Sequence, residues 1–274
     1  IELGLEKVAD VYPEIVPADR TRRDWENNHN FVQQVAGKWL PRSAPQLRIP
    51  EAARVTARHV QQQHGLQPGN WVALFPGGMA NVPIKAWPAP KFGRVGADLQ
   101  ARTGGQVLLL GHESEAKVLE DVAQEVAAVS GQRPAQWLGR DGELTVLAAL
   151  LADARSYVGH DTGAMHIAAA LERPTLGIFG GGHWPRFRPV GSRVISVVHP
   201  LPCFGCNWDC QFGYAPCVKL IEPSDVQKGI ERLLADPVAT YDEVIAVNHL
   251  TEAAHGLIAA VTPRYRALQA ARVD

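Results

Sequence analysis

Long hydrophobic runs are missing from this 274-residue chain. No stretch of about 18 consecutive apolar residues occurs, so no transmembrane helix is expected. Charge of one sign is missing too: 27 Lys and Arg stand against 28 Asp and Glu, a formal net of −1. That balance excludes a strongly basic nucleic-acid binder and an acidic-tail protein. Ile1–Asp10 carries no basic segment leading into an apolar one, so no signal peptide is read there, and it lacks an initiator Met. Internal repeats and low-complexity segments are absent. Cysteine is scarce, four residues all between Cys203 and Cys217. A disulfide-stapled secreted domain spreads its cysteines through a shorter chain, so a reduced, cytoplasmic protein is expected. Apolar residues, by contrast, make up 46%, enough for a sizeable core.

The apolar residues fall in a rhythm. Residues 1–50 read as irregular, with one helical stretch around Trp25–Leu40. Pro50-Glu51 opens an Ala/Arg/Gln-rich helix that Gly65 and the Pro68-Gly69 turn end. Short apolar runs follow at Trp71–Phe75, Gln106–Leu110, Ala135–Leu138, Ser156–Gly159, Thr175–Phe179 and Arg193–Val198. Helical stretches at Ala89–Arg102, Glu115–Val129, Glu143–Ala152 and Ala164–Leu171 separate the first five. Another helix is expected at Pro223–Ala235, and the Ala-rich stretch Val238–Asp274 is expected to be mostly helical. Such alternation predicts an α/β, Rossmann-like parallel sheet covered on both faces. Ligands of such sheets sit at the carboxyl ends of the strands. Here those ends are the Gly-rich and polar PGG, GHESE, GHDTG and FGGGH.

Each strand end has its own chemistry. In Asp161-Thr162-Gly163 a strand runs straight into a helix. Asp161 or Thr162 can cap that helix, and its free N–H groups and dipole make an anion site. Thr162 adds a hydroxyl, Gly163 admits close approach, and His166 lies one turn on. A plain cap with a half-buried His is the bland alternative. Gly77 and Gly78 with Lys85 can hold phosphates through N–H groups and one cation, although a solvated Lys in a loop is the commoner case for a surface lysine. Neither the Walker pattern nor G-x-G-x-x-G opening a helix is present, which argues against a dehydrogenase. Glu115 can accept ribose hydroxyls or cap its helix. Cys203, Cys206, Cys210 and Cys217 form C-x2-C-x3-C-x6-C, which can hold a structural Zn or Fe or stand as free thiols. Arg186 and Arg188 can approach a diphosphate or an acceptor anion, or belong to a solvated basic loop.

These motifs, in this order, resemble glycosyltransferase family 9, the heptosyltransferase-like group, and within it a cysteine-rich branch. The carriers are LFPGG (74–78), KAWPAPKF (85–92), LLLGHESE (108–115), VGHDTGAMHIAAALERPTLGIFG (158–180) and the cysteine loop leading to IEPSDV. The resemblance implies a GT-B fold, two Rossmann-like domains facing a cleft, of which this chain supplies the C-terminal, donor-binding domain. The N-terminal acceptor domain is expected to be largely missing. On this reading residues 1–64 are its remnant with linker helices, 65–236 the nucleotide-sugar domain with the Cys loop 203–217, and 237–274 a C-terminal helical extension.

The resemblance also implies roles. Lys85 matches a Lys at the donor phosphates, Glu115 an acid at the ribose, Asp161 an acid near the transferred sugar. Gly77, Gly78, Thr162, Gly163 and His166 complete the donor site. The family's catalytic base falls in the missing domain, and nothing is carried over to His160. The implied activity is inverting transfer of a sugar, with heptose favoured, from a nucleotide-diphosphate sugar such as ADP-heptose. The acceptor is a glycan, lipopolysaccharide or protein hydroxyl, and no cofactor is needed for catalysis. Localisation is expected to be cytoplasmic, with the inner-membrane periphery as an option. A non-catalytic nucleotide-sugar or protein-binding module is the competing reading.

Overall fold

The computed structural model describes residues 18–104, 106–235 and 239–270. The chain divides into two compact units, one of residues up to Ser43 together with Pro185–Phe187, the other of Ala44–Trp184 with Arg188 onward. In the smaller unit, helix α1 (Asp24–Ala36) begins where the Glu26 carboxylate accepts the Arg23 N–H at 3.1 Å. It ends at Gly37, which takes the left-handed backbone (φ 62°) a helix stop favours. Arg186 there forks onto Asp24, Nη2 to Oδ2 at 2.9 Å.

The larger unit is built on seven parallel strands in the order β3-β2-β1-β4-β5-β6-β7. They are β1 (Trp71–Phe75), β2 (Gln106–His112), β3 (Ala135–Gly139), β4 (Ser156–His160), β5 (Thr175–Phe179), β6 (Arg193–Val198) and β7 (Tyr241–Ala246). The helices are α2 (Glu51–Gln63), α3 (Ala89–Thr103), α4 (Ala116–Ser130), α5 (Leu144–Asp153), α6 (Gly163–Ala170), α7 (Pro216–Lys219), α8 (Pro223–Ala235) and α9 (Glu252–Ala270). The period of two in a strand splits the core. Val72 and Leu74 of β1, with Val107 and Leu109 of β2, pack under Phe92, Leu99, Val122, Val126 and Ile230. Trp71, Ala73, Leu108 and Leu110 pack on the other face under Ala57, Leu150, Leu151 and Met165. Burial of both faces is why these strands read as near-continuous apolar runs.

One expectation is corrected. Residues 237–274 are not simply a helical extension, because 241–246 form β7 along the open edge of β6, with Tyr241 opposite Arg193 and Ala246 opposite Val198. The period there is two: Tyr241 is buried, Asp242 and Val244 are exposed. An unpaired edge of β6 is costly in backbone groups, and a six-residue aromatic and β-branched segment satisfies it. The helix begins only at Glu252.

The strand order places the crossing point between β1 and β4, where the chain winds outward in both directions. A crevice opens outside the carboxyl ends of such a pair.

Candidate functional site

Seven of the eight side chains or glycines expected at a donor site are drawn together at the ends of β1, β2 and β4. Gly77 and Gly78 turn the chain immediately after β1. Gly78 takes a left-handed backbone (φ 78°). A Cβ on Gly78 would lie 2.6 Å from Thr162 Cγ2, and one on Gly77 would lie 2.4 Å from Glu115 Oε2. Glycine is required at Gly78, and at Gly77 a side chain would have to displace the Glu115 carboxylate. Glu115, after β2, reaches across: its Oε1 accepts the backbone N–H groups of Gly78 at 2.6 Å and Met79 at 3.3 Å. Its Oε2 accepts the N–H of His112. The carboxylate thus ties the ends of β1 and β2 together, a use not foreseen for it.

Lys85 sits in a short 3-10 turn, Pro83–Lys85. Its Nζ donates to the Asp161 backbone oxygen at 3.1 Å and lies 5.8 Å from the centre of the Trp208 ring. The segment after it is pinned twice. Trp87 N–H donates to Nε2 of His160 at 2.7 Å, and the Trp87 indole N–H donates to the Ile221 carbonyl at 2.9 Å. Lys91 Nζ caps the carbonyls of Lys219 and Ile221 at 2.7 and 2.9 Å. KAWPAPKF and the stretch before α8 are therefore one fastening, which positions Lys85.

His160, to which the sequence assigned nothing, is the acceptor in that fastening. Burial holds its pKa down to about 3, so the ring is neutral at physiological pH and free to accept. Asp161 follows. Burial raises its carboxyl to about 6, against the pull of the Lys85 charge. Thr162 was expected as a possible helix cap. It stands at the N-cap position of α6 without making a side-chain cap, and its hydroxyl is 3.3 Å from the Tyr157 hydroxyl instead. Tyr157 is buried, and that burial raises its pKa. The amino end of α6 is thereby left uncapped at the crevice, with its dipole exposed. A Cβ on Gly163 would meet nothing within 4 Å, so the space over that backbone is open. His166 lies one turn along α6, its pKa lowered by burial. Its backbone N–H donates to the Thr162 carbonyl at 3.4 Å, and among the described residues no hydrogen bond of its ring to the other seven is seen.

The cysteine loop also arrives here. Burial pushes the Cys203 thiol up to about 11 and Cys217 up to about 12, and Cys206 upward as well, with neighbouring thiols adding to each. Cys217 Sγ accepts the N–H of Gly181 at 3.4 Å. The thiols share one neighbourhood, but among the described residues no three His, Cys, Asp or Glu side chains stand as a group ready to hold a metal. Arg188, a candidate anion contact, pairs with Asp242 at 2.6 Å and lies over Trp184; Arg186 belongs to the pair with Asp24.

An uncapped helix end, a Gly turn and a lysine at the crossing of a parallel sheet fit phosphate. The family model described as glycosyltransferase family 9 (heptosyltransferase) matches residues 16–210. This chain belongs to glycosyltransferase family 9. Lipooligosaccharide heptosyltransferase 2 of Haemophilus ducreyi is 29% identical over 202 residues, 72% of this chain and 57% of that protein. Lipopolysaccharide heptosyltransferase 2 of Escherichia coli is 26% identical over 195 residues, covering 69% and 53%. Among solved structures, a family 9 enzyme from Veillonella parvula overlays with a TM-score of 0.65 at 22% identity, covering 80% of this chain and 62% of that one. The family 9 fold is thus shared, and the chain spans about half the length of the curated relatives it matches. Among the described residues no helix is long and apolar enough to cross a membrane.

Proposed function

We propose that this family 9 chain binds a nucleotide-diphosphate sugar at the β1–β4 crevice and serves as the donor half of an inverting glycosyltransferase. The observation that carries the reading is the convergence of the Gly77-Gly78 turn, Lys85, Asp161-Thr162 and the uncapped end of α6 at one crossing point. The relatives are heptosyltransferases of lipopolysaccharide and lipooligosaccharide, which favours ADP-heptose as donor. The acceptor is a hydroxyl of a glycan, lipopolysaccharide or protein, and the reaction belongs on the cytoplasmic side.

The chemistry follows from charge. As an acceptor hydroxyl attacks the anomeric carbon and gives its proton to the base expected in the acceptor half, the bond from that carbon to the diphosphate breaks and the departing nucleoside diphosphate gains negative charge. Lys85, the Thr162 hydroxyl and the N–H groups opening α6 oppose that charge without a divalent metal. Glu115 holds the ribose, His166 closes the same pocket, and Gly163 leaves room for the diphosphate. Asp161 faces the transferred sugar. The reading extends to Cys203, Cys206, Cys210 and Cys217 as ligands of a structural Zn or Fe. Metal binding would have to deprotonate thiols that burial now keeps protonated. Elemental analysis of the purified chain decides that point: a bound metal lost in Cys206→Ser supports it, and a metal-free chain removes it.

The test of the main reading is calorimetric titration with ADP, UDP, GDP and ADP-heptose. Selective binding of ADP and ADP-heptose is expected. Lys85→Ala is expected to weaken it by about 10- to 100-fold, the range for a lost charged hydrogen bond. Selective UDP or GDP binding keeps the glycosyltransferase and changes the sugar. A donor half alone is expected to bind without transfer; binding without transfer when an acceptor half is supplied favours the non-catalytic module, and no binding at all overturns the reading.

A further inference from the structure

We propose that Trp208, in the cysteine loop, is a positioning residue that holds Lys85 in place for the donor diphosphate. The inference rests on the donor-site reading and adds a residue to it.

Trp208 is delivered to the crevice by an unusual local geometry. Asn207 and Trp208 both take left-handed backbones (φ 51° and 66°), a conformation L side chains rarely adopt. Such strain persists only where the surroundings over-determine it. Here they do. The loop backbone is laced to the Gly180-Gly181-Gly182 triplet after β5: Gly205 N–H donates to the Gly181 carbonyl at 2.8 Å, and Asn207 N–H to the Gly182 carbonyl at 3.0 Å. The Asn207 side chain bonds the His183 ring, and that ring meets the Trp208 indole edge-on at 6.2 Å.

The three glycines are seats for two aromatic rings. A Cβ on Gly180 would lie 2.5 Å from the Trp208 ring, and one on Gly182 2.4 Å from it. A Cβ on Gly181 would lie 2.1 Å from the Phe204 ring. The indole N–H of Trp208 is buried with no hydrogen-bond partner among the described residues. Hydrogen bonding of the indole therefore does not account for its placement. What its face does meet is a cation, the Lys85 ammonium 5.8 Å from the ring centre.

That contact has a defined use. The Lys85 ammonium has three donors; one goes to the Asp161 carbonyl. The ring face attracts the ammonium without consuming a donor. Carbonyl and ring together restrict a long, rotatable side chain while leaving N–H groups to meet a diphosphate oxygen. Preorganisation of this kind lowers the ordering cost of binding.

The experiment is a double-mutant cycle read by calorimetry with ADP and AMP on the 274-residue chain. The variants are Trp208→Leu, Lys85→Met and the pair. Trp208→Leu is expected to weaken ADP by about 5- to 10-fold, as loss of a partly buried cation–π contact does. The proposal assigns Lys85 to the distal phosphate, so AMP should change by less than about twofold. In the Lys85→Met background Trp208→Leu should have no further effect on ADP. Trp208→Phe, which keeps a ring face, should restore most of the affinity. Equal loss of ADP in both Lys85 backgrounds, or parallel loss of ADP and AMP, overturns the proposal and leaves the donor-site reading intact. If Trp208→Leu does not fold, the cycle is run with Trp208→Phe, where a smaller ADP-specific loss must again vanish beside Lys85→Met. If the unsubstituted chain binds UDP or GDP instead of ADP, the cycle is read with that diphosphate and its monophosphate; no binding of any of the three overturns the proposal together with the donor-site reading.

Discussion

Two strand ends in this molecule carry runs of glycine, and the runs do opposite things. After β1, Gly77 and Gly78 clear space for polar groups: a carboxylate that grips the turn and a threonine that opens α6. After β5, Gly180, Gly181 and Gly182 clear space for the protein's own rings, Phe204 and Trp208. The first run also needs a left-handed backbone at Gly78; no glycine of the second has one. The same residue type thus admits a carboxylate and a threonine at one strand end and two aromatic rings at the other. Glycine marks close approach, and the approaching atoms decide the function.

The comparison can be broken at several points. The largest effect is expected at the filled end. Gly182→Ala places a Cβ against the Trp208 ring, where the loop must shift. A loss of about 3 kcal/mol in denaturant unfolding is expected, the upper range for overpacking. A loss below about 0.5 kcal/mol would mean that the rings are loosely seated.

The second effect is at the open end. Burial raises the Asp161 carboxyl to about 6, above its unfolded value near 3.8. The folded state therefore binds more protons than the unfolded state between about pH 4 and pH 6. Stability is fully present below pH 4 and is lost as pH rises through 6. Asp161→Asn should remove that penalty and stabilise the chain at pH 7.5 by about 2 kcal/mol, after discounting for partial solvent access. At pH 4 it should change little. Equal unfolding midpoints for the two proteins across this range would show a well-solvated carboxylate.

The smallest effect on folding is expected at Gly163. Its backbone is ordinary and its Cβ position opens on space. Gly163→Ala should change stability by less than about 0.5 kcal/mol. If the diphosphate approaches that backbone, ADP binding should nonetheless fall. Unchanged ADP affinity would move the phosphates away from the start of α6.

Much of the fold was legible because its signals are local. Short apolar runs separated by helical stretches place β1 to β6 within a residue or two of their observed bounds. β7 was not legible. Its alternation is short, lies in Ala-rich surroundings and is stabilised by pairing with β6, a contact remote in sequence. Lys85 was placed at the crevice from its motif, and the structure brings it to Asp161. Its anchors were not foreseen, because the Trp87–His160 and Trp87–Ile221 bonds join residues 73 and 134 positions apart. Thr162 was expected to be available as a cap, and its hydroxyl is turned toward Tyr157 instead. Trp208 carried one faint signal, an aromatic inside a cysteine loop that follows a glycine triplet.

The sequence by itself determined the parallel α/β architecture, the polar strand ends and the family. Each depends on periodicity or on residues adjacent in the chain, where propensity and sterics act without a partner. Only the tertiary structure decided that Glu115 grips a turn, that His160 stays neutral as an acceptor, and that Trp208, 123 positions from Lys85, lays its indole beside it. Those outcomes depend on burial and on partners brought together by folding. A side chain's charge and its free donors are set by what surrounds it.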